Sequence, residues 1–172
     1  LELTAVATHL GVAHPSGYPL FTMICRLFLF LPMEPYNAMM VLCRLSFVAA
    51  LPPLFFLSRK YIEVLGLSEK LALWLPTTFT LAFGFSALAL ANIHEVEVYT
   101  LNLAFVLWIA WLAPFAGSTP GRRRTVLIIA TIFQGLAAAH HLTSLATLPL
   151  LIFCWYERTK RRRHPGPPIS AA

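Results

Sequence analysis

Three short stretches hold five of the six His and three of the seven Glu residues of this chain, side chains that could accept or return a proton. The first runs from Glu2 to Phe21. Its centre, Gly11-Val12-Ala13-His14-Pro15-Ser16-Gly17-Tyr18-Pro19-Leu20-Phe21, crowds a His, two Pro and two Gly together. The second is His94-Glu95-Val96-Glu97 and the third is His140-His141. Glu and His are the usual general acids and bases of enzymes. No Asp occurs anywhere in the chain, so any carboxylate chemistry falls to its Glu residues. Glu97 abuts an apolar run, and an ionisable group at membrane depth is a functional candidate. Arg44, inside another apolar run, could snorkel, pair with an acid or bind an anion.

Each of these residues also has a plainer reading. Pro15, Pro19, Gly11 and Gly17 suit a loop that enters a helix. His140 and His141 suit a polar cap between two helices. Glu95 and Glu97 suit an interfacial loop. The His and Glu residues lack a close-spaced ligand pair on one helix, so no metal site is expected. Ser16 has no Asp to orient a catalytic triad, and no Gly-rich phosphate loop is present. Cys25, Cys43 and Cys154 all fall in apolar stretches without metal spacing and read as packing residues.

The elements that must position these groups are apolar. Of the 172 residues 58% are apolar and 12% are charged, and mean hydropathy is +0.72. Soluble domains carry about a quarter charged residues. A bilayer core needs a run of about 20 apolar residues. The expected spans are Asn37–Leu57, Leu71–Ala91 and Leu101–Phe115, the last starting near Val98. The uncharged run Thr125–Trp155 is too long for one span. It reads as two helices, Thr125–Ala139 and Leu142–Tyr156, that turn at the His pair. Tyr18–Leu31 is short and holds Arg26, which favours a helix lying at the interface. The chain thus reads as all-α: a multispanning membrane helix bundle of about five transmembrane helices plus one juxtamembrane helix.

The net charge is +6, and eleven of the thirteen Lys and Arg residues gather on one face in this arrangement. Next to hydrophobic spans, basic runs are cytoplasmic topology signals and not a nucleic-acid surface. The opposite face collects Glu2, His9, His14, His94, Glu95, Glu97, His140 and His141. That convergence predicts a polar cavity opening on the non-cytoplasmic side. Residues 1–157 form the membrane domain of this reading. Residues 158–172 form a basic, Pro-rich cytoplasmic tail.

The motifs resemble those of the transmembrane protein 260 family, multispanning proteins of the GT-C glycosyltransferase class. The family pattern runs D-S-G-E-L, a spacer, then L-G-V-A-H-P-P-G-Y-P-L. Glu2-Leu3-Thr4-Ala5 and Leu10 to Phe21 are similar to it. Glu97-Val98-Tyr99-Thr100-Leu101-Asn102 resembles E-V-Y-T/S-L-N, and Gly135 to Thr143 resembles G-L-…-N-H-L-T. Arg44-Leu45-Ser46 is similar to a weaker R-V-N element. Ser16 stands where the family usually has Pro, and His140 and Ser46 stand where it usually has Asn. Leu1 aligns with the Gly of D-S-G-E, so the acidic residue expected in the first outer loop falls just upstream.

The resemblance implies a GT-C-like fold and a polyprenyl-phosphate or dolichyl-phosphate sugar as donor substrate, with no further cofactor. Transfer would be to a hydroxyl of a protein or lipid acceptor. Such chemistry needs a base for the acceptor hydroxyl and polar or cationic groups for the departing phosphate. The implied catalytic residues are Glu2, His14 and Glu97. The implied substrate-binding residues are Pro15, Gly17, Tyr18, Pro19, Arg44, Tyr99, Asn102, His140, His141 and Thr143, with Arg26 an alternative to Arg44 for the phosphate. The location implied is the endoplasmic reticulum membrane in a eukaryote or the inner membrane in a bacterium, with the C-terminus cytoplasmic. A second reading stands beside it: a non-catalytic or transporter-like membrane protein that keeps the fold without the activity.

Overall fold

The structure is a computed structural model and describes residues 2–14, 18–115 and 120–163. Among these residues there is helix and loop but no strand. The helices are α1 (Glu2–His9), α2 (Pro19–Phe28), α3 (Pro35–Val64), α4 (Glu69–Gly84), α5 (Ala87–Ile93), α6 (Tyr99–Phe115), α7 (Pro120–His140) and α8 (Leu148–Arg163). A 3₁₀ turn, Leu142–Thr147, joins α7 to α8.

Local chemistry sets the boundaries. Pro19 and Pro35 open α2 and α3 at a first-turn position where a missing N–H costs nothing. The helix α3 continues through Pro52 and Pro53. It stops where Gly66 adopts a left-handed φ of 70°. There the amides of Gly66 and Leu67 bond back to the carbonyls of Glu63 and Ile62, the glycine-dependent helix stop of the Schellman type. The expected span Leu71–Ala91 is corrected: α4 and α5 meet at a 54° bend. Ser86 causes the break. Its hydroxyl donates to the Phe83 carbonyl at 2.8 Å and accepts from the Ala89 amide at 3.2 Å, closing one helix and capping the next. The turn at the His pair is as expected, although the second helix begins with the 3₁₀ turn. The basic run 158–163 continues α8.

Helices α3 and α6 run in the same direction. Trp108 Nε1 donates to the Ala49 carbonyl at 2.9 Å, and Phe56 stacks on Trp111 at 5.4 Å. On the other side of α6, Phe105 meets Phe133 of α7 edge-on at 5.9 Å. Trp155 Nε1 of α8 donates to Thr131 Oγ1 of α7 at 2.9 Å. Buried side chains of α1, α2 and α3 form one core around Phe21, Cys25, Met39 and Cys43. Ala113, Leu127, Ala130, Leu151 and Cys154 form another between α6, α7 and α8. The alternation of helix directions brings α1, α2, the segment 94–98 and the His pair to one end. Arg59, Lys60, Lys70 and Arg122–Arg124 lie at the other.

Among the described residues, α3 is long and apolar enough to cross a membrane, and the bent pair α4–α5 is a second by the same measure. That is fewer than the five expected. The helices α2 and α6 are apolar but short, α7 opens on three Arg residues, and α8 ends in a basic run. Helix α4 nonetheless exposes Leu73, Trp74, Leu75, Phe79 and Leu81. A helix with apolar side chains around its circumference belongs inside a larger assembly or against lipid.

Candidate functional site

The site is built from the N-terminal segment and the facing ends of α6 and α7. After α1 the chain turns at Leu10, whose φ of 53° is left-handed. The Gly11 amide donates to the Val6 carbonyl at 2.9 Å. This fold-back returns His14 to Glu2 at the start of α1. The His14 backbone N–H donates to Glu2 Oε1 at 2.8 Å, and His14 Nδ1 lies 3.0 Å from both carboxylate oxygens. The backbone N–H, and then the imidazole, hold the Glu2 carboxyl below the usual carboxylate range. Both side chains are more than half exposed, so the pair contributes little to stability.

Tyr18 connects this pair to the rest of the site. Its backbone is left-handed, with φ 42° and ψ 53°, and its side chain is buried. Its ring stacks on His141 with centroids 5.4 Å apart and planes 15° apart. His14 approaches the same ring edge-on at 5.6 Å. Tyr99, at the start of α6, lies 6.1 Å from His141. His141 caps the 3₁₀ turn: its Nδ1 accepts from the Thr143 amide at 3.2 Å and lies 2.7 Å from Thr143 Oγ1. Asn102 Nδ2 donates to Thr143 Oγ1 at 3.0 Å.

Seven of the residues named from sequence therefore meet: Glu2, His14, Tyr18, Tyr99, Asn102, His141 and Thr143. Others are placed elsewhere. His140 is 1% exposed, and its Nε2 lies 2.9 Å from the Val98 carbonyl oxygen between Phe21 and Phe105. That is the polar cap of the plainer reading. Glu97 lines a separate cleft of about 360 Å³ with Tyr36, Glu95 and Val96. Arg44 is exposed on α3 and has no hydrogen-bond or ion-pair partner among the described residues. Arg26 donates to the Thr8 carbonyl at 2.9 Å and caps the end of α1, so it serves the fold. Pro19 is the first residue of α2 and is exposed. Pro15 and Gly17 lie outside the described residues, as does the segment 164–172.

A groove of about 350 Å³ opens beside the cluster. Tyr99 and Asn102 belong to both, and Phe47, Phe83, Leu88 and Val106 line the apolar part of the groove. Asn102 Oδ1 is buried without a partner among the described residues. No group of three or more His, Cys or Glu is placed to hold a metal ion among the described residues. Sequence reasoning missed the anchor of the 3₁₀ turn. Gln134 Nε2 donates to the Ser144 carbonyl at 3.2 Å, and Thr147 Oγ1 lies 2.6 Å from Gln134 Oε1. The available signal was a lone amide in an apolar helix, which a buried setting obliges to find partners.

The model of one protein family, the protein O-mannosyl-transferase TMEM260 N-terminal domain, matches residues 1–164. The chain belongs to this family. Among curated proteins it is similar to protein O-mannosyl-transferase tmem260 of Dictyostelium discoideum, with 30% identity over 115 residues. The match covers 64% of this chain and 13% of that protein, so the chain spans a small part of its relative's length. No solved structure matches. The family match includes all three stretches that supply the site, from Glu2 through Tyr99 to Thr143.

Proposed function

We propose that the chain carries part of the active site of a membrane-embedded O-mannosyltransferase. In this reading a mannosyl group passes from a polyprenyl-phosphate donor to a hydroxyl of a protein acceptor. The hydroxyl oxygen forms a bond to the anomeric carbon while the bond from that carbon to the phosphate oxygen breaks. The lipid phosphate leaves with the electron pair, and the hydroxyl proton goes to the Glu2 carboxylate. His14 fixes that carboxylate through its backbone N–H and its ring. Tyr99 and His141 offer an aromatic wall for a sugar, with the buried Tyr18 ring stacked behind His141. The neighbouring groove has a lining suited to a prenyl chain.

The observation that carries this reading is the convergence of Glu2, Tyr18 and His141, far apart in sequence, at the mouth of an apolar groove. In this reading the cluster, at the end opposite the basic residues, faces the non-cytoplasmic side and α8 the cytoplasm, an orientation that the positive-inside rule supports. In a eukaryote that membrane is the endoplasmic reticulum. The family name and the apolar helices support the assignment. The test is mannosyl transfer by the full-length protein carrying Glu2→Gln, a change that keeps shape and removes the base. Loss of a general base lowers turnover about 10²–10⁴-fold. Near-normal turnover at normal expression sinks the role of Glu2, whereas absence of turnover in the parent itself favours a non-catalytic member of the family.

A further inference from the structure

We infer that Thr143 and Asn102 are positioning residues that hold His141 as a neutral imidazole protonated at Nε2. The argument follows the hydrogens. The Thr143 backbone N–H can only donate, and it donates to His141 Nδ1 at 3.2 Å. The Asn102 amide N–H can also only donate, and it occupies the Thr143 hydroxyl oxygen at 3.0 Å. The oxygen keeps its hydrogen, and because Nδ1 already accepts from the Thr143 backbone N–H, that hydrogen goes to His141 Nδ1 at 2.7 Å. Two donors on one ring nitrogen require that nitrogen to be bare. A neutral imidazole with a bare Nδ1 carries its hydrogen on Nε2. Protonating the ring would set a third hydrogen against two donors and remove the cap of the 3₁₀ turn.

The surroundings reinforce this state. The turn is tied to α7 through Gln134, which bonds both the Ser144 carbonyl and the Thr147 hydroxyl. The ring lies against Tyr18 and near Tyr99, so its plane is fixed as well as its tautomer. The titratable groups around it are Tyr18 from the N-terminal segment, Tyr99 from α6 and His140 from α7. Glu2, the carboxylate of the cluster, is bonded to His14 on the other side of Tyr18. His141 is therefore an N–H donor to an oxygen of the substrate and not the base of the site. That donor role rests on the proposed transfer reaction, whereas the protonation state does not.

The experiment is nitrogen NMR on the full-length membrane-embedded protein labelled with ¹⁵N-histidine, with His141 assigned by its loss in His141→Gln. At neutral pH the Nδ1 of His141 is expected to read as unprotonated and the Nε2 as protonated. Thr143→Val removes the hydroxyl at nearly constant shape. It is expected to lower the ratio of the Nε2–H to the Nδ1–H tautomer about five- to tenfold, the worth of one ordinary hydrogen bond. Thr143→Ser restores the ratio. In Asn102→Asp the carboxylate takes the hydroxyl hydrogen, and the same tautomer ratio is expected to fall. A wild-type His141 that is protonated at Nδ1, or a ratio unmoved in Thr143→Val, overturns the inference. Mannosyl transfer by the same variants separates the two claims. Lost turnover with an unmoved spectrum removes the tautomer lock and leaves the reaction standing. The expected spectral change with unmoved turnover removes the donor role.

Discussion

Substitutions at His140 separate packing from hydrogen bonding in the wall behind the site. The side chain is 1% exposed, with Phe21 at 5.6 Å and Phe105 at 6.0 Å between ring centroids. Its Nε2 bonds the Val98 carbonyl at 2.9 Å, and that carbonyl also accepts from the Asn102 amide at 3.1 Å. Its Nδ1 is buried and has no partner among the described residues. His140→Ala removes a ring from between two aromatics and one hydrogen bond, which costs about 3 kcal/mol. His140→Phe fills the same space and deletes the unpaired nitrogen. The Val98 carbonyl keeps its helical partner, so this variant falls within about 1 kcal/mol of the parent. His140→Asn retains a donor but loses the ring and falls between the two. The assay is labelling of the buried thiols Cys25 and Cys43 during heating of the full-length protein in detergent. These thiols report on the core that contains Phe21. A loss of 3 kcal/mol lowers the midpoint by roughly 6–12 °C for a cooperative unit of this size. His140→Phe melting as early as His140→Ala would refute the reasoning, because the hydrogen bond would then outweigh the packing.

Two further perturbations address the elements that hold the cluster. The Glu2 carboxyl titrates below the ordinary carboxylate range, so its contact with His14 contributes above that range and is lost as pH falls through the lowered value. Carboxyl-carbon NMR of the full-length protein should show Glu2 still ionised where an ordinary glutamate carboxyl is half protonated. In His14→Ala the depression should shrink without vanishing, because its largest cause is a backbone N–H; a Glu2 that titrates in the ordinary carboxylate range in the parent would refute this. Gln134→Leu should cost about 1–2 kcal/mol, since the Thr147 hydroxyl, released from Gln134, can give its one hydrogen to the Ser144 carbonyl 2.7 Å away. Faster amide hydrogen exchange confined to Leu142–Thr147 and α8 is the expected reading, and unchanged exchange there counts against the anchor.

Much of the helix layout was legible because long apolar runs leave few alternatives. The turn at His140-His141 followed from a run too long for one span. The extension of α3 to Val64 was harder to see, because Arg59 and Lys60 look like the end of an apolar segment. They continue the helix by pairing with Glu63 at 3.1 and 3.0 Å. The break between α4 and α5 was hidden, since hydropathy does not register one serine hydroxyl that serves both helices. The helix α1 was hidden too: it is short, and docking Leu3 and Ala7 into the core is what fixes it. Convergence of the polar stretches on one end was readable from chain direction alone. The different fates of His140 and His141 were not. Adjacent residues at a helix end point about 100° apart, and tertiary packing decides which one is buried.

The turns at Leu10 and Tyr18, on either side of the Glu2–His14 contact, owe more to backbone geometry than to that ion pair. Leu10 and Tyr18 are the non-glycine residues with positive φ among those described. Such conformations cost about 1–2 kcal/mol each for an L-residue. Leu10 is 60% exposed, and its turn lets the Gly11 amide reach the Val6 carbonyl. At Tyr18 the return is larger: a buried ring stacked on His141, where an aromatic pair is worth about 0.5–1.5 kcal/mol beyond its burial. The Glu2–His14 pair, exposed on both sides, is too weak to impose either conformation. It therefore follows the loop and does not create it. Changing its charge leaves the scaffold in place, which is why Glu2→Gln reads on chemistry, whereas a change at Tyr18 would alter chemistry and architecture together.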